Sequence, residues 1–487
     1  MSRLAFGPFG LDLRTFLLSR DGAEVPLSPR LTQVLACLAD ARGELVTREL
    51  LMDRFWPDLN VTDNTLTRAV ADIRKALDDD PARPVYIQTM ARRGYRFVAP
   101  VRVEGETAPA AGGSLSDGLE PFVAWERGRA ALESLSAEAL PGAVDAFASA
   151  VAGAPHYAPA HAGLANAHLF RHEATRVDNV PDVAALDAAL VSARRATTID
   201  PTMGEGWAVL GHALGAAGQA EEARAAVRHA LAAEPRNWRH HYRMAVTSWG
   251  EDRFQAVERA QALLPGFAAY HTLSAMVLIA RQSFDLAAEV ASRGAAAQAA
   301  QQAEHATFPA TGLLWVRGLT ALARGHADAA LTDFRAEAEG SAHHASIYAR
   351  ECVVLARVAE GFALLGAGDT RGAAAAFAAA TALSPGHSRA ALGQVIADGG
   401  SAVNDPRVIA AGAELERGGK HRERELLLAA AHAFDGAPTD AVACAERALA
   451  GPPDATGWNL PADPMFSPLR AAPGYARLAA RLAARAA

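Results

Sequence analysis

Three stretches of sequence decide the fold of the first hundred residues: Leu66-Thr67-Arg68-Ala69-Val70-Ala71-Asp72-Ile73-Arg74-Lys75-Ala76-Leu77, Tyr86-Ile87-Gln88-Thr89 and Arg93-Gly94-Tyr95-Arg96-Phe97. Leu66, Val70, Ile73 and Leu77 recur at helical spacing, which predicts a helix over residues 62–77 with one buried face. The two later runs are rich in β-branched and aromatic residues, and they predict a hairpin whose tip is basic.

The elements before this helix follow from turn and capping residues. Residues 11–13 and 15–18 predict short antiparallel strands, and Asp21-Gly22 predicts a turn after them. Ser28-Pro29 predicts the start of a first helix, with serine as N-cap and proline at the first helical position. A second helix is expected from about Thr47 until Trp56-Pro57, burying Leu50, Leu51 and Phe55.

This order of strands, three helices and a hairpin resembles the OmpR/PhoB-type winged-helix DNA-binding domain over about the first hundred residues. The tip Arg92-Arg93-Gly94-Tyr95-Arg96 looks more like the CadC-like branch of this phosphorelay-related family. That branch carries the domain at the N-terminus without a phosphorylated receiver, and no receiver is expected ahead of residue 1. The resemblance implies double-stranded DNA as a partner, bound by a homodimer on repeated half-sites. It also implies that the loop after the second helix contacts RNA polymerase, with Trp56, Asp58 and Asn60 as candidates.

The face of the third helix opposite its apolar stripe predicts a reader of the major groove. Arginine bonds guanine bidentately, asparagine pairs with adenine, and threonine contacts a thymine methyl or a phosphate. The candidates for base readout are Asn64, Thr65, Arg68 and Asp72. The candidates for phosphate and wing contacts are Arg48, Arg54, Arg74, Lys75, Arg92, Arg93 and Arg96.

Each of these residues also has a plainer structural interpretation. Arg74 and Lys75 fit an exposed helix end, where the helix dipole favours cations. Asp78-Asp79-Asp80 predicts a solvated helix stop before Pro81, and Tyr95 and Phe97 predict core or wing packing. A hairpin tip needs Gly94 but not two arginines, so Arg92-Arg93 is the less easily explained pair.

Charge divides the chain of 487 residues into two parts. Residues 1–103 contain 15 Lys and Arg against 13 Asp and Glu, a net charge of +2, and the remainder carries −9 of the total of −7. A net charge of +2 is small for a DNA-binding domain. We therefore expect weak, strongly salt-dependent binding by one copy and tighter binding by a dimer.

The segment 103–117 is rich in Gly, Ala, Pro and Glu without periodicity, and it predicts a flexible linker. An internal repeat follows it. The spacing of a large residue, Leu-Gly, a bulky residue, Ala, a second bulky residue, Ala and Pro matches the tetratricopeptide pattern. It is carried by Trp207, Leu210, Gly211, Leu214, Ala223, Val227, Ala230 and Pro235, and it recurs at Gly361, Leu364, Ala373, Phe377, Ala380 and Pro385. About eight degenerate units are predicted, with an insertion near residues 174–182.

Several classes of protein are disfavoured by the sequence. Three widely spaced cysteines favour a reducing cytoplasm, and neither a signal peptide nor a membrane span is expected. Phosphate-loop, nucleophile-elbow and dinucleotide motifs are not found, so we predict no enzyme and no cofactor. The side chains of the adjacent pairs His240-His241 and His343-His344 point about 100° apart on a helix, which argues against chelation of one metal ion by either pair.

The sequence therefore predicts a mainly α protein: an N-terminal α+β winged helix-turn-helix domain (1–102), a linker (103–117) and an all-α tetratricopeptide-like solenoid (118–487). The predicted function is sequence-specific regulation of transcription. The solenoid is expected to sense a ligand, to drive assembly, or to hold a protein or peptide in its groove. The alternative is an interaction scaffold whose winged helix binds protein instead of DNA.

Overall fold

The computed structural model describes residues 3–12, 17–41, 43, 45–55, 63–90, 93–104, 115–133, 135–303, 312–342 and 345–487. The chain divides into two compact units. Unit 1 comprises Met1–Ala130 and Ala143–Gly163, and unit 2 comprises Ala131–Gly142 and Leu164–Ala487.

Unit 1 begins with an antiparallel sheet in the order β4-β3-β2-β1-β8. Its strands are β1 (Arg3–Phe6), β2 (Phe9–Asp12), β3 (Leu17–Arg20), β4 (Ala23–Val25) and β8 (Arg102–Glu104). The two predicted strands fall near β2 and β3, and the turn at Asp21-Gly22 connects β3 to β4. In β8, Val103 pairs with Leu4 of β1, so the sheet continues past the predicted start of the linker at residue 103.

Three helices follow the sheet: α1 (Pro29–Asp40), α2 (Arg48–Phe55) and α3 (Asp63–Leu77). Ser28 and Pro29 stand at the predicted N-cap and first helical positions of α1. The hydroxyl of Thr47 accepts a hydrogen bond from the Leu50 backbone N–H at 3.2 Å, which explains why α2 begins there. The expectation that Leu50 is buried was wrong, because 47% of it is exposed.

A second sheet forms the wing from β5 (Leu45–Thr47), β6 (Ile87–Met90) and β7 (Gly94–Phe97), with β7 in the middle. Gly94 makes the pairing of β5 with β7 possible. It has φ +150°, and a Cβ at this position would lie 2.0 Å from the carbonyl oxygen of Val46. A side chain there would push the strands apart.

The core of unit 1 extends beyond the winged helix into α4 (Leu115–Glu133) and α5 (Leu140–Gly153). Phe122 and Tyr157 are buried in the same apolar cluster as the side chains of α1 and α3. The guanidinium of Arg30 on α1 contacts the carboxylate of Glu126 on α4 at 2.6 Å. The first helix pair after the predicted linker thus shares one core with the winged helix.

The remaining chain is helical. Its helices are α6 (Ala158–Thr175), α7 (Val183–Ile199), α8 (Gly204–Ala216), α9 (Ala220–Ala233), α10 (Trp238–Thr247), α11 (Gly250–Leu263), α12 (Ala269–Ala280), α13 (Phe284–Ala303), α14 (Leu313–Ala323), α15 (Ala327–Ala342), α16 (Ala349–Gly366), α17 (Thr370–Leu383), α18 (Ser388–Ala397), α19 (Pro406–Arg417), α20 (His421–Phe434) and α21 (Pro438–Ala448). Taken two at a time, α4 to α21 give nine helix pairs in the described chain, against about eight predicted.

The small and bulky residues of the repeat pack against each other as the pattern predicts. A Cβ added to Gly361 of α16 would lie 2.5 Å from the ring of Phe377 on α17, and Gly318 and Phe334 repeat this contact between α14 and α15. The two helices of each of these two pairs therefore touch at a glycine. The chain ends in a 3-10 turn (Pro464–Phe466), α22 (Ser467–Arg470) and α23 (Tyr475–Arg485), which cover the apolar face of the last pair.

The predicted insertion is a loop, residues 176–182, which we call the clasp loop. It reaches helices far ahead in sequence within unit 2. The Asp178 carboxylate accepts hydrogen bonds from the guanidinium of Arg350 at 2.8 and 2.6 Å. The Asn179 amide donates to the carbonyl of Gly386 at 2.6 Å, and the Lys420 ammonium donates to the carbonyl of Asp178 at 2.5 Å. The clasp loop thus ties α6 to α16, α18 and α20.

Candidate nucleic-acid interface

Helix α3 separates its apolar and polar residues onto opposite faces. The four predicted core residues, at positions 66, 70, 73 and 77, are at most 1% exposed. The exposed face carries Thr67, Arg68, Ala71, Asp72 and Lys75. Since residues four apart lie on the same face of a helix, Arg68 and Asp72 stand one turn apart on a single polar surface.

The predicted base readers occupy this surface in part. Arg68 and Asp72 are exposed, and Thr65 is half-buried. The side chain of Asn64 lies outside the described residues. Arg68 and Lys75 have no hydrogen-bonded or ionic side-chain partner within the part of the chain that the structure describes. Both cations are therefore available to an anionic partner.

Arg48 connects the start of α2 to α3 and the wing. Its guanidinium lies 5.9 Å from the ring centroid of Tyr95, and it donates to the hydroxyls of Tyr95 at 3.4 Å and Thr67 at 3.3 Å. Its backbone N–H also donates to the carbonyl of Arg93 at 3.2 Å. The positive charge of Arg48 is thus fixed beside the exposed face of α3.

Arg74 has a structural position that the phosphate-contact prediction did not foresee. Its guanidinium donates to the carbonyl of Ile87 at 2.7 Å and to the hydroxyl of Thr89 at 2.8 Å. Only 12% of the side chain is exposed. Because these contacts join α3 to β6, Arg74 fixes the wing against the helix instead of facing outward.

Asp79 corrects the prediction that the three aspartates after α3 form a solvated stop. Asp78 adopts a left-handed conformation (φ +53°), which ends the helix and turns the chain. The fully buried carboxylate of Asp79 then accepts hydrogen bonds from the backbone N–H groups of Val85 at 2.7 Å, Tyr86 at 3.0 Å and Ile87 at 2.8 Å. A run of three identical residues gave no signal that one of them points inward.

The wing carries the remaining predicted cations. Arg93 is exposed where β7 begins, and Arg96 is half-buried on β7, where its backbone pairs with Leu45 on one side and Gln88 on the other. Gln88 and Thr89 are exposed on β6 and were missed by the sequence analysis. Five predicted residues, Arg54, Trp56, Asp58, Asn60 and Arg92, have side chains outside the described residues.

A metal site and a membrane span gain no support from the described part of the chain. Its His, Cys, Asp and Glu residues include no group of three that could hold a metal ion. Buried His240 contacts the carboxylate of Glu234 at 3.1 Å, and His241 contacts the carbonyl of Pro235 at 2.9 Å. His343 and His344 lie outside the described residues. None of the described helices is both long and apolar enough to cross a membrane.

Comparisons with known proteins place the similarity in this part of the chain. Residues 22–97 match the family described as "Transcriptional regulatory protein, C terminal". The chain is 39% identical over 85 residues to the transcriptional activator CadC of Escherichia coli (strain K12), and the match covers 17% of each protein. It therefore spans less than a fifth of the length of this relative.

Two solved structures resemble different parts of the chain. The DNA-binding domain of Klebsiella pneumoniae RstA, in complex with the RstA box, is 26% identical, with a TM-score of 0.19, over 20% of this chain and 96% of that domain. A tetratricopeptide repeat protein from Parabacteroides merdae is 14% identical, with a TM-score of 0.34, over 49% of this chain and 84% of that protein.

Proposed function

We propose, from the premise that the N-terminal domain is an OmpR/PhoB-type winged helix, that the protein binds specific DNA sequences and regulates transcription. One observation carries the proposal. The exposed face of α3 presents Arg68 and Lys75 without side-chain partners in the described chain, next to the fixed cation of Arg48. The 39% identity of this domain to that of a transcriptional activator supports the same function.

In this proposal the residues divide into two groups. Asn64, Thr65, Arg68 and Asp72 read base edges in the major groove, because the N-terminal part of a recognition helix approaches the bases most closely. Phosphates are bound by Arg48, Arg54, Lys75, Arg92 and Arg93. Arg74 and Arg96 position the wing. The loop after α2, with Trp56, Asp58 and Asn60, remains the proposed contact to RNA polymerase.

The helical repeats supply the regulatory part of the proposal. We infer that an effector or protein partner bound by unit 2 changes the DNA affinity or the assembly of the protein. Deleting residues 164–487 keeps the first helix pair, which shares its core with the winged helix. The proposal expects this deletion to change either the occupancy of the DNA site or the transcriptional output. It is overturned if both stay the same.

Selection from a random duplex-DNA library tests the DNA-binding part. The full-length protein is compared with its Arg68→Ala/Arg92→Ala/Arg93→Ala variant. The proposal expects the parent alone to enrich a repeated sequence motif, whose half-site spacing reports the dimer. If neither protein enriches a motif, with or without residues 164–487, the winged helix is a protein-binding module and the scaffold alternative is correct.

A further inference from the structure

Unit 2 encloses a cavity of about 490 Å³ that the proposed DNA-binding function does not use. Its lining comes mainly from the first helix of successive pairs: α6, α8, α10, α12, α14, α16, α18 and α20. The clasp loop contributes to the wall and joins the early pairs to the late ones. The volume falls within the range of about 300–1,000 Å³ that is typical of small-molecule sites.

Arg253 and Lys420 are the two cations on the cavity wall without a carboxylate partner among the described residues, and Lys420 donates to the backbone carbonyls of Arg176 and Asp178 instead. Arg253 is 4% exposed, and its guanidinium Nε donates to the carbonyls of Ala245 and Ser248, both at 3.0 Å. Nη1 has only the sulfur of Met276, at 3.9 Å, as a neighbouring acceptor among the described residues. Burial lowers the pKa of Arg253 to about 10, so the group stays charged at neutral pH. A buried charge of this kind favours an anionic partner.

Three of the four acidic residues on the wall are paired with arginine, and the fourth, Glu423, has no ion pair among the described residues. Glu173 and Glu351 both contact the guanidinium of Arg176, at 2.7 and 2.6 Å. Asp178 is held by Arg350 at 2.6 Å. Each of these three carboxylates contacts a protein guanidinium, whereas Arg253 contacts no carboxylate among the described residues. Arg253 is thus a point on the wall where an anion would gain a charge partner.

Two further polar groups face the same space. The Tyr242 hydroxyl has no hydrogen-bond partner among the described residues, and burial raises its pKa, so that it remains a proton donor. The hydroxyl of Thr272 on α12 is buried without a partner among the described residues. Buried hydroxyls in proteins are normally hydrogen-bonded, so Thr272 is a candidate for contact with a ligand, and the half-buried Tyr242 on the same wall is a second.

Apolar side chains complete the lining. Leu273 and Met276 of α12 line the cavity together with Thr272. Trp315 and Trp458 pack edge to face with their ring centroids 5.7 Å apart. A pocket with a few polar groups in an otherwise apolar wall binds the body of a ligand by burial and orients its polar end by hydrogen bonds.

We propose that this cavity binds a small organic anion with an aromatic or aliphatic body, its acidic group at Arg253 and Tyr242 and its body against Met276 and Trp315. The inference deepens the regulatory part of the proposed function, because it assigns the effector to a chemical class and to a site. Its test uses no DNA, so failure of the cavity and failure of DNA binding are seen separately.

The test compares two fluorescent probes with nearly the same rings on the full-length protein. 1-Anilinonaphthalene-8-sulfonate carries an anionic group, and N-phenyl-1-naphthylamine is neutral. We expect one saturable site for the sulfonate per chain. The Arg253→Met variant loses a hydrogen-bonded charge, and its affinity for the sulfonate should be weaker by about tenfold or more. The affinity for the neutral probe should stay within about twofold.

Matched variants separate binding from folding. Arg281 also donates to a backbone carbonyl, that of Ala486 at 2.7 Å, but it does not line the cavity. Arg281→Met should therefore leave the sulfonate affinity unchanged. If Arg253→Met fails to fold by circular dichroism, Tyr242→Phe carries the test, because it removes one hydroxyl and keeps the ring. We expect it to weaken sulfonate binding about fivefold.

Two results would overturn the inference. One is equal affinity of the parent for both probes, which would assign the cavity to purely apolar molecules. The other is sulfonate binding that Arg253→Met and Tyr242→Phe leave unchanged, or that shows no saturable site.

Discussion

A single carboxylate, that of Asp79, holds the wing against helix α3. It accepts three backbone hydrogen bonds in a fully buried position. Hydrogen bonds to a charged group contribute more than neutral ones, and their donors would otherwise be left without partners. The orientation of the wing relative to α3 therefore depends on a fully buried carboxylate.

Asp79→Asn tests this assignment. The neutral amide accepts hydrogen bonds less strongly, so the amides of Val85, Tyr86 and Ile87 should exchange hydrogen about tenfold faster or more. Hydrogen exchange of the full-length protein, followed by mass spectrometry, measures the change. The control is Asp78→Asn, because the Asp78 side chain is 71% exposed and, among the described residues, pairs only with Arg20 at the surface. Equal exchange in both variants would contradict the role of Asp79.

Buried histidines make the stability of unit 2 depend on pH. Burial lowers the pKa of His387 to about 3 and that of His212 to about 4, from an ordinary value of 6.5. The unfolded chain therefore takes up protons first as the pH falls below 6.5. The free energy of unfolding therefore keeps its full value above pH 6.5 and falls progressively as the pH approaches 4 and 3. At pH 5 each of the two histidines lowers the free energy of unfolding by about 2 kcal/mol.

His387→Asn should reduce this acid sensitivity. The imidazole of His387 accepts from the Ala390 N–H at the start of α18, and asparagine can cap a helix without titrating. The fall in melting temperature between pH 7 and pH 5, followed by circular dichroism, should be smaller in the variant than in the parent. The same fall in both proteins would exclude His387 as the titrating group.

At the scale of elements, the repeat depends on close contact between paired helices. A methyl group on Gly361 of α16 would lie 2.5 Å from the ring of Phe377 on α17. Overpacking of this kind typically costs about 1–3 kcal/mol. Gly361→Ala should therefore lower the melting temperature of the full-length protein.

Gly366 provides the matched control for Gly361 on the same helix. It is exposed at the end of α16, and an added Cβ would meet nothing within 4 Å. Gly366→Ala should be neutral or slightly stabilising, because alanine reduces the entropy of the unfolded chain. If Gly361→Ala is tolerated as well as Gly366→Ala, the helix pairs do not depend on this glycine contact.

Elements with a strong period were predictable from sequence, and elements fixed by distant partners were not. The alternation along α3 and the small-residue spacing at Gly361 and Phe377 show on which face each side chain lies. The three-residue strands β5 and β8 have no period, and they exist because β7 and β1 pair with them. The position of the clasp insertion was predictable from repeat length, but its contact with Gly386 joins residues 207 apart.

The same distinction applies to the candidate interface. Exposure of Arg68, Asp72 and Lys75 followed from the helical pattern. The inward direction of Arg74 did not, because residues 74 and 75 are equally polar in sequence, and Arg74 is distinguished by its contacts with the Ile87 carbonyl and the Thr89 hydroxyl.

At the scale of the whole molecule, the hydrophobic core of the winged helix in unit 1 also contains residues that follow the first hundred. Arg30 contacts Glu126 at 2.6 Å, and Phe122 is 1% exposed in the shared cluster. A fragment of residues 1–163 should therefore melt at a higher temperature than a fragment of residues 1–117. Circular dichroism of the two fragments measures this. Equal melting temperatures would place the boundary in the predicted linker.

The central claim is that the exposed face of α3 reads DNA bases, with Arg68 specifying sequence and Lys75 binding phosphate. The most direct test is the affinity of full-length Arg68→Ala and Lys75→Ala for every single-base variant of the selected site, over a range of salt concentrations. We expect Arg68→Ala to lose discrimination at one base pair, by about 1–3 kcal/mol. Lys75→Ala should weaken all sequences equally and reduce the salt slope by about one. Uniform weakening by both variants, with every base preference kept, would contradict the claim.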